Sequence, residues 1–125
     1  MVFVIGGAWQ GKLDWAKETC SLTDGDIFSC GAGAEIDFSR RCIVHLEDFT
    51  LACVDAGVDP VAYFDERADR WADSVLICSD VSCGVVPMSA RLRLWRNETG
   101  RFCQYLAKRA DRVSRIFCGL EQRLK

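Results

Sequence analysis

The chain has 125 residues, half of them hydrophobic, and a formal net charge of −2. That length fits one compact domain, residues 1–125, with enough apolar material for a core without staples. No run approaches the roughly 18 apolar residues of a membrane span. A weakly acidic chain without interleaved bases and aromatics argues against nucleic acid. Met1 to Gly7 has neither the basic start nor the apolar length of a secretory signal, so a cytoplasmic protein is expected.

Val2 to Ile5 is a short continuous apolar run, the pattern of a strand buried on both faces in a parallel sheet. It leads directly into Gly6-Gly7-Ala8-Trp9-Gln10-Gly11-Lys12, and then into a helical stretch from Leu13 to Glu18. Residues 20–40 are rich in Gly, Ser and Asp and read as loop, with a weak strand over 26–30. Cys42 to Leu46 reads as a second apolar strand, followed at Glu47-Asp48 by a helix to Ala56.

Asp59-Pro60 supplies an N-cap with proline at the first helical position. Val61, Phe64, Ala68 and Trp71 then fall on one helix face. Val75 to Cys78 is a third strand. From Met88 through Leu92, Trp95, Thr99, Phe102 and Leu106 to Ala110, apolar or small residues recur every three or four positions. Gly100 could divide this long helix in two. Val113 to Cys118 makes a last strand, and the rest reads as a tail. Strands alternating with helices predict an α/β three-layer domain with a mainly parallel sheet.

The eight cysteines lie mostly inside apolar runs and read as reduced, buried side chains. None makes a C-x2-C pair, and His45 is the only histidine, so no Cys/His zinc set can be assembled. Charge is uneven. Residues 1–90 carry 6 basic and 15 acidic side chains, and residues 91–125 carry 10 basic and 3 acidic. The basic end is either a solvated helix face or a phosphate-facing surface.

Gly6 to Lys12 fits the first seven positions of the phosphate-binding pattern G-x-x-x-x-G-K followed by Ser or Thr. Glycines let backbone N–H groups turn inward around phosphates at a helix N-terminus, and the lysine reaches the β- and γ-phosphates. The hydroxyl that would hold magnesium is replaced by Leu13, which ligates nothing. A strand-end acid can help hold the metal. Glu47 is the favoured candidate, with Asp48, or a register placing His45 there, as alternatives. The other reading of the loop is a glycine turn with an exposed lysine.

The C-terminal half carries a more specific pattern. Residues 76–87, Leu-Ile-Cys-Ser-Asp-Val-Ser-Cys-Gly-Val-Val-Pro, resemble the "LVSNEVGxGIVP" segment of the bifunctional adenosylcobinamide kinase/adenosylcobinamide-phosphate guanylyltransferase family. Residues 95–104 are similar to its "FRDxxGRxNQ", residues 110–113 to its "ADEV" and residues 119–125 to its "GLPLRLK". The resemblance covers 75–125 continuously and the Gly6–Lys12 loop independently.

The resemblance implies a P-loop NTPase-like fold, phosphorylation of adenosylcobinamide with ATP or GTP, guanylyl transfer through a histidine, and a homo-oligomer. By position, Gly6, Gly7, Ala8, Trp9, Gln10, Gly11, Lys12 and Leu13 would hold the nucleotide, with Lys12 catalytic. Asp80 stands where the family has Glu, and Ser79 where it has Asn. Arg96 and Arg101 would clamp phosphate, make an oligomer contact, or form surface salt bridges. The family's acceptor histidine has no counterpart. Residues 20–40 contain none, and His45, placed within the second strand, reads as a core residue. Guanylyl transfer by that route is therefore not expected.

Overall fold

The structure, a computed structural model, describes residues 1–81 and 89–125. Ser82, Cys83, Gly84, Val85, Val86 and Pro87 of the 76–87 segment, and Met88 of the helical pattern, lie outside the described residues. Six strands form one sheet in the order β2-β3-β4-β1-β5-β6. They are β1 (Val2–Gly6), β2 (Ile27–Ser29), β3 (Cys42–Val44), β4 (Val75–Ser79), β5 (Arg112–Phe117) and β6 (Leu120–Arg123). All neighbours pair in parallel except β5 with β6. The expected C-terminal tail is thus an antiparallel edge strand. Its exposed, strongly polar sequence gives no apolar run by which to recognise it.

Alternation along β1 and β4 divides the core between the two faces of the sheet, as a pleated strand requires. On one face Val4, Ile77, Val44 and Ile116 pack with Ala16 of α1 (Lys12–Cys20). On the other, Phe3, Leu76 and Cys78 pack beneath α2 (Leu46–Ala56), α3 (Pro60–Asp65) and α4 (Ala90–Arg109). Phe49, Phe64 and Phe102 meet there. The Phe64 and Phe102 rings lie edge to face at 4.8 Å, a favoured aromatic geometry. The result is the three-layer α/β architecture that the alternating pattern predicts.

Three local features differ from the sequence reading. α4 is continuous through Gly100, because one helix-interior glycine is tolerated where Thr99, Phe102 and Leu106 are buried. α3 stops at Asp65, and a 3-10 turn over Ala68–Arg70 delivers Trp71 into the core. There the Trp71 Nε1 donates to the Phe64 carbonyl at 2.8 Å. β3 ends at Val44 rather than Leu46, and α2 begins at once.

Part of the basic C-terminal stretch is matched by acids. Arg91 pairs with Asp55, Arg101 with Asp59 and Glu98, and Arg109 with Asp65. These pairs are exposed and screened by solvent, so they add little to stability. Seven cysteines fall among the described residues, and all are free thiols. No helix among the described residues is long and apolar enough to cross a membrane.

The chain leaves β1 through α1 on one face and leaves β4 through α4 on the other. The carboxyl ends of β1 and β4 therefore flank a topological switch point, where open α/β sheets bind ligands.

Candidate functional site

A cleft of about 510 Å³ opens on the α1 side of this switch point. Its wall is the loop between β1 and α1. Gly6 ends β1 where a Cβ would lie 2.4 Å from the Ile116 carbonyl oxygen, so only glycine fits without backbone movement. Gly11, at φ 86°, is the N-cap of α1 and lies in the left-handed region that glycine enters without penalty. Between them Trp9 adopts φ 63°, an uncommon conformation for a tryptophan, and its side chain is fully exposed at the cleft.

The loop is held from both directions. The backbone N–H of Cys118 donates to Gln10 Oε1 at 2.7 Å, and that of Gly119 to the Gln10 carbonyl at 2.8 Å. The turn between β5 and β6 therefore anchors the loop. Lys12, the first residue of α1, is buried, and its Nζ donates to the Gly7 carbonyl at 2.7 Å. Burial holds its pKa below the ordinary lysine value, against the opposing pull of the Glu47 carboxylate and of Cys78. An ammonium in this setting gains a strong partner when an anion enters the cleft.

Opposite the loop, β3 passes into α2 through His45. This residue sits at φ 59° as the N-cap of α2, without a side-chain cap. His45 is exposed and lines the cleft. It is not the core residue that the longer strand implied. The strand stops at Val44, and the left-handed turn at His45 carries the ring outward.

His45 Nδ1 lies 3.3 Å from Glu47 Oε2, and Glu47 Oε1 accepts from the backbone N–H of Ser79 at 2.9 Å. Trp95 Nε1 donates to the Glu47 carbonyl at 2.8 Å and to Thr50 Oγ1 at 3.2 Å. Thr50, fully buried, shares a 2.7 Å hydrogen bond with Thr99. Glu47 is thus fixed at its side chain by β4 and at its backbone by α4. Asp48 stands next to it, its pKa raised by burial and by the Glu47 charge, with His45 acting the other way.

His45, Glu47 and Asp48 each offer a ligand atom, all within 4.8 Å of one another. Two carboxylates suit a magnesium ion that keeps most of its shell as water and phosphate oxygen. Leu13 lines the same cleft and supplies no ligand.

The structure therefore brings Ala8, Trp9, Gln10, Gly11, Lys12, Leu13 and Glu47 into one cleft; Gly6 and Gly7 do not line it, although the Gly7 carbonyl accepts from Lys12 Nζ. Asp80 lies elsewhere. Its N–H donates to the Gly6 carbonyl at 2.8 Å, but it lines a second cleft on the α4 side. Arg96 and Arg101 are on α4 and are not among the residues lining the cleft beside the loop, Arg101 being paired with Asp59 and Glu98.

The cleft-facing position of His45, which sequence reasoning offered only as an alternative to Glu47, the Ser79 N–H contact to Glu47 and the role of the 118–119 turn were not foreseen. An abrupt change from apolar strand to Glu-Asp, the acidic first turn of a helix, was the available signal for His45. The 118–119 turn had none, because its role depends on a long-range pairing.

A family model described as cobinamide kinase / cobinamide phosphate guanyltransferase matches residues 59–124. No curated protein matches the chain.

Proposed function

Because the chain belongs to the cobinamide kinase / cobinamide phosphate guanyltransferase family, which places it in cobalamin biosynthesis, we propose that it is a nucleotide-dependent cobinamide kinase. The observation that carries this reading is the convergence of the Gly6–Lys12 loop and the Glu47 carboxylate on one cleft. In the proposal the N–H groups at the start of α1 and the Lys12 ammonium take the β- and γ-phosphates of ATP or GTP. Lys12 leaves the Gly7 carbonyl to do so. Glu47 and Asp48, rather than the residue after the lysine, would hold magnesium, which would supply positive charge to offset that of the phosphates. Trp95, Thr50 and the Ser79 N–H keep Glu47 in place.

The test is transfer of the terminal phosphate of labelled ATP or GTP to cobinamide, with the wild type beside Lys12→Ala. The proposal expects product with the wild type and a loss on the order of a hundredfold or more in the variant, since its lysine acts on transition-state charge. No phosphorylated cobinamide from the wild type with either nucleotide would overturn it.

A second reading is favoured by one observation, the exposure of His45 at the cleft beside Glu47. It would let the ring attack the α-phosphorus of GTP, forming a P–N bond and releasing pyrophosphate. Mass spectrometry after incubation with GTP tests it directly. An acid-labile GMP adduct on His45 supports it, and its absence leaves the kinase reading alone.

A further inference from the structure

Cys78 and Cys103 play no part in nucleotide binding as proposed, yet they touch. Cys78 lies on β4 and is fully buried, while Cys103 lies on α4 and is half-buried. The Cys103 thiol donates to the Cys78 sulfur at 3.8 Å, and among the described residues this is the one pair of thiols in contact. Cys103 also borders a cleft of about 300 Å³ on the α4 side, next to Gly100. A Cβ built on Gly100 would meet nothing within 4 Å, so the helix surface beside Cys103 is open. A small oxidant can reach Cys103 there, whereas Cys78 is reached only through Cys103. An accessible cysteine backed by a second one is the arrangement of redox-sensing thiols.

Their position joins them to the acid of the nucleotide cleft. β3 pairs with β4 only at Val75 and Leu76, so Cys78 and Ser79 have ladder partners on the β1 side alone. What Ser79 has instead is Glu47, whose Oε1 accepts from its N–H at 2.9 Å. The Cys78 thiol donates to the Ser79 carbonyl at 3.4 Å. α4, by contrast, is anchored to α2 through Thr99 with Thr50 and through Arg91 with Asp55. Bringing the two sulfurs to a bonding distance of about 2 Å therefore moves the end of β4 rather than the helix.

We propose that Cys103 and Cys78 form a reversible disulfide on exposure to a hydroperoxide, and that its closure draws the Ser79 N–H away from Glu47. The Cys103 sulfur attacks one oxygen of hydrogen peroxide. An S–O bond forms, the O–O bond breaks, and the other oxygen leaves as water with the thiol proton. The Cys78 sulfur then attacks the Cys103 sulfur. The S–S bond forms, the S–O bond breaks, and hydroxide leaves as a second water with the Cys78 proton. The two thiols lose two electrons in all, and one peroxide is reduced to two waters. Thiol reductants return the pair to its open form. A fall in phosphate transfer on oxidation rests on the kinase reading, since it follows from loosening Glu47. The bond and the change at Ser79 do not.

The test treats the protein with hydrogen peroxide and then with dithiothreitol. Peptide mass spectrometry without reduction should find residues 78 and 103 cross-linked after the first step and free after the second. Exchange of the Ser79 amide, followed by NMR, should quicken at least about tenfold in the oxidised protein, the worth of a hydrogen bond to a charged group. Phosphate transfer to cobinamide should fall and recover with it. Cys103→Ser should show no cross-link and an unchanged Ser79 amide under peroxide. Should that variant have a lower Tm, Cys78→Ala gives the same readout.

Oxidation of Cys103 to sulfinic acid without a cross-link overturns the proposal. So does a cross-link that leaves Ser79 exchange unchanged, or faster exchange in Cys103→Ser under peroxide. A wild type that shows the cross-link and the faster exchange, but transfers no phosphate even when reduced, overturns the kinase reading and supports the switch.

Discussion

Residues 1–48 and residues 59–124 contribute unlike things to this molecule. The first stretch carries the glycine loop, Lys12 and Glu47, yet lies outside the part matched by the family pattern. The second carries that pattern, but among the described residues places only Ile77 and Ser79 on the lining of the cleft beside the loop.

Among the described residues, five hydrogen bonds outside the strand ladders join them at the site, and in each the later stretch donates and the earlier one accepts. The N–H groups of Ser79, Asp80, Cys118 and Gly119 and the Trp95 indole meet oxygens of Glu47, Gly6 and Gln10. The family-like half is thus the frame that holds the loop and the acid, and the proposed chemistry sits on the half it holds. Resemblance here reports the support of a site more than the site itself.

That division can be broken most forcefully at the seam. Gly6→Ala drives a methyl group against the Ile116 carbonyl, a backbone atom that cannot turn away. A loss of about 1–3 kcal/mol in stability by denaturant titration is expected, the usual cost of overpacking. Nucleotide affinity should fall with it. A variant as stable as the wild type would show that β1 and β5 are less tightly coupled than the pairing implies.

Trp95→Phe sharpens the comparison from the other side. It keeps the ring but removes the N–H that meets Glu47 and Thr50, worth about 0.5–1.5 kcal/mol. The expected signature is a lower kcat with nucleotide affinity preserved, since the residue acts on the acid and not on the loop. Equal loss in both would mean that α4 supports the whole site without distinction.

Protonation separates the two halves more gently. Burial lowers the Lys12 pKa, and bound phosphate favours the ammonium. Binding therefore takes up a proton once the pH exceeds the free protein's Lys12 value, so nucleotide affinity falls as pH rises through that point. The fall begins at lower pH than an ordinary lysine would give. Lys12→Arg, whose guanidinium does not titrate there, should flatten the profile. An unchanged alkaline limb in Lys12→Arg would assign it to another group.

The smallest effect belongs to Leu13→Ser. It restores a metal-ligating hydroxyl and should raise the magnesium dependence of nucleotide binding modestly. The lost packing of a partly buried leucine costs about 1 kcal/mol in stability. Strong magnesium dependence already present in the wild type, and unaltered by the change, would show that Glu47 and Asp48 suffice.

The sequence was legible where a single element determines the outcome. The strand before the loop, the Asp59-Pro60 cap and the long α4 periodicity each follow from neighbours a few positions apart. It was less legible where distant elements compete. β6 is polar and exposed, and exists because β5 offers it a free edge. His45 looks like strand until α2 claims Leu46, which turns the histidine into the cleft. Residues of the site held from afar, Gln10 by the 118–119 turn and Glu47 by Ser79 and Trp95, carry no local mark of that role.

The central claim is that the Gly6–Lys12 loop, framed by the family-like half, binds nucleotide phosphates through Lys12. Isothermal titration of ATP and of GTP into the wild type and Lys12→Ala tests it most directly. The account predicts saturable binding of at least one nucleotide by the wild type. It also predicts a loss of about 1.5–3 kcal/mol in Lys12→Ala, the worth of a charged hydrogen bond. Equal affinity in the two proteins would contradict it.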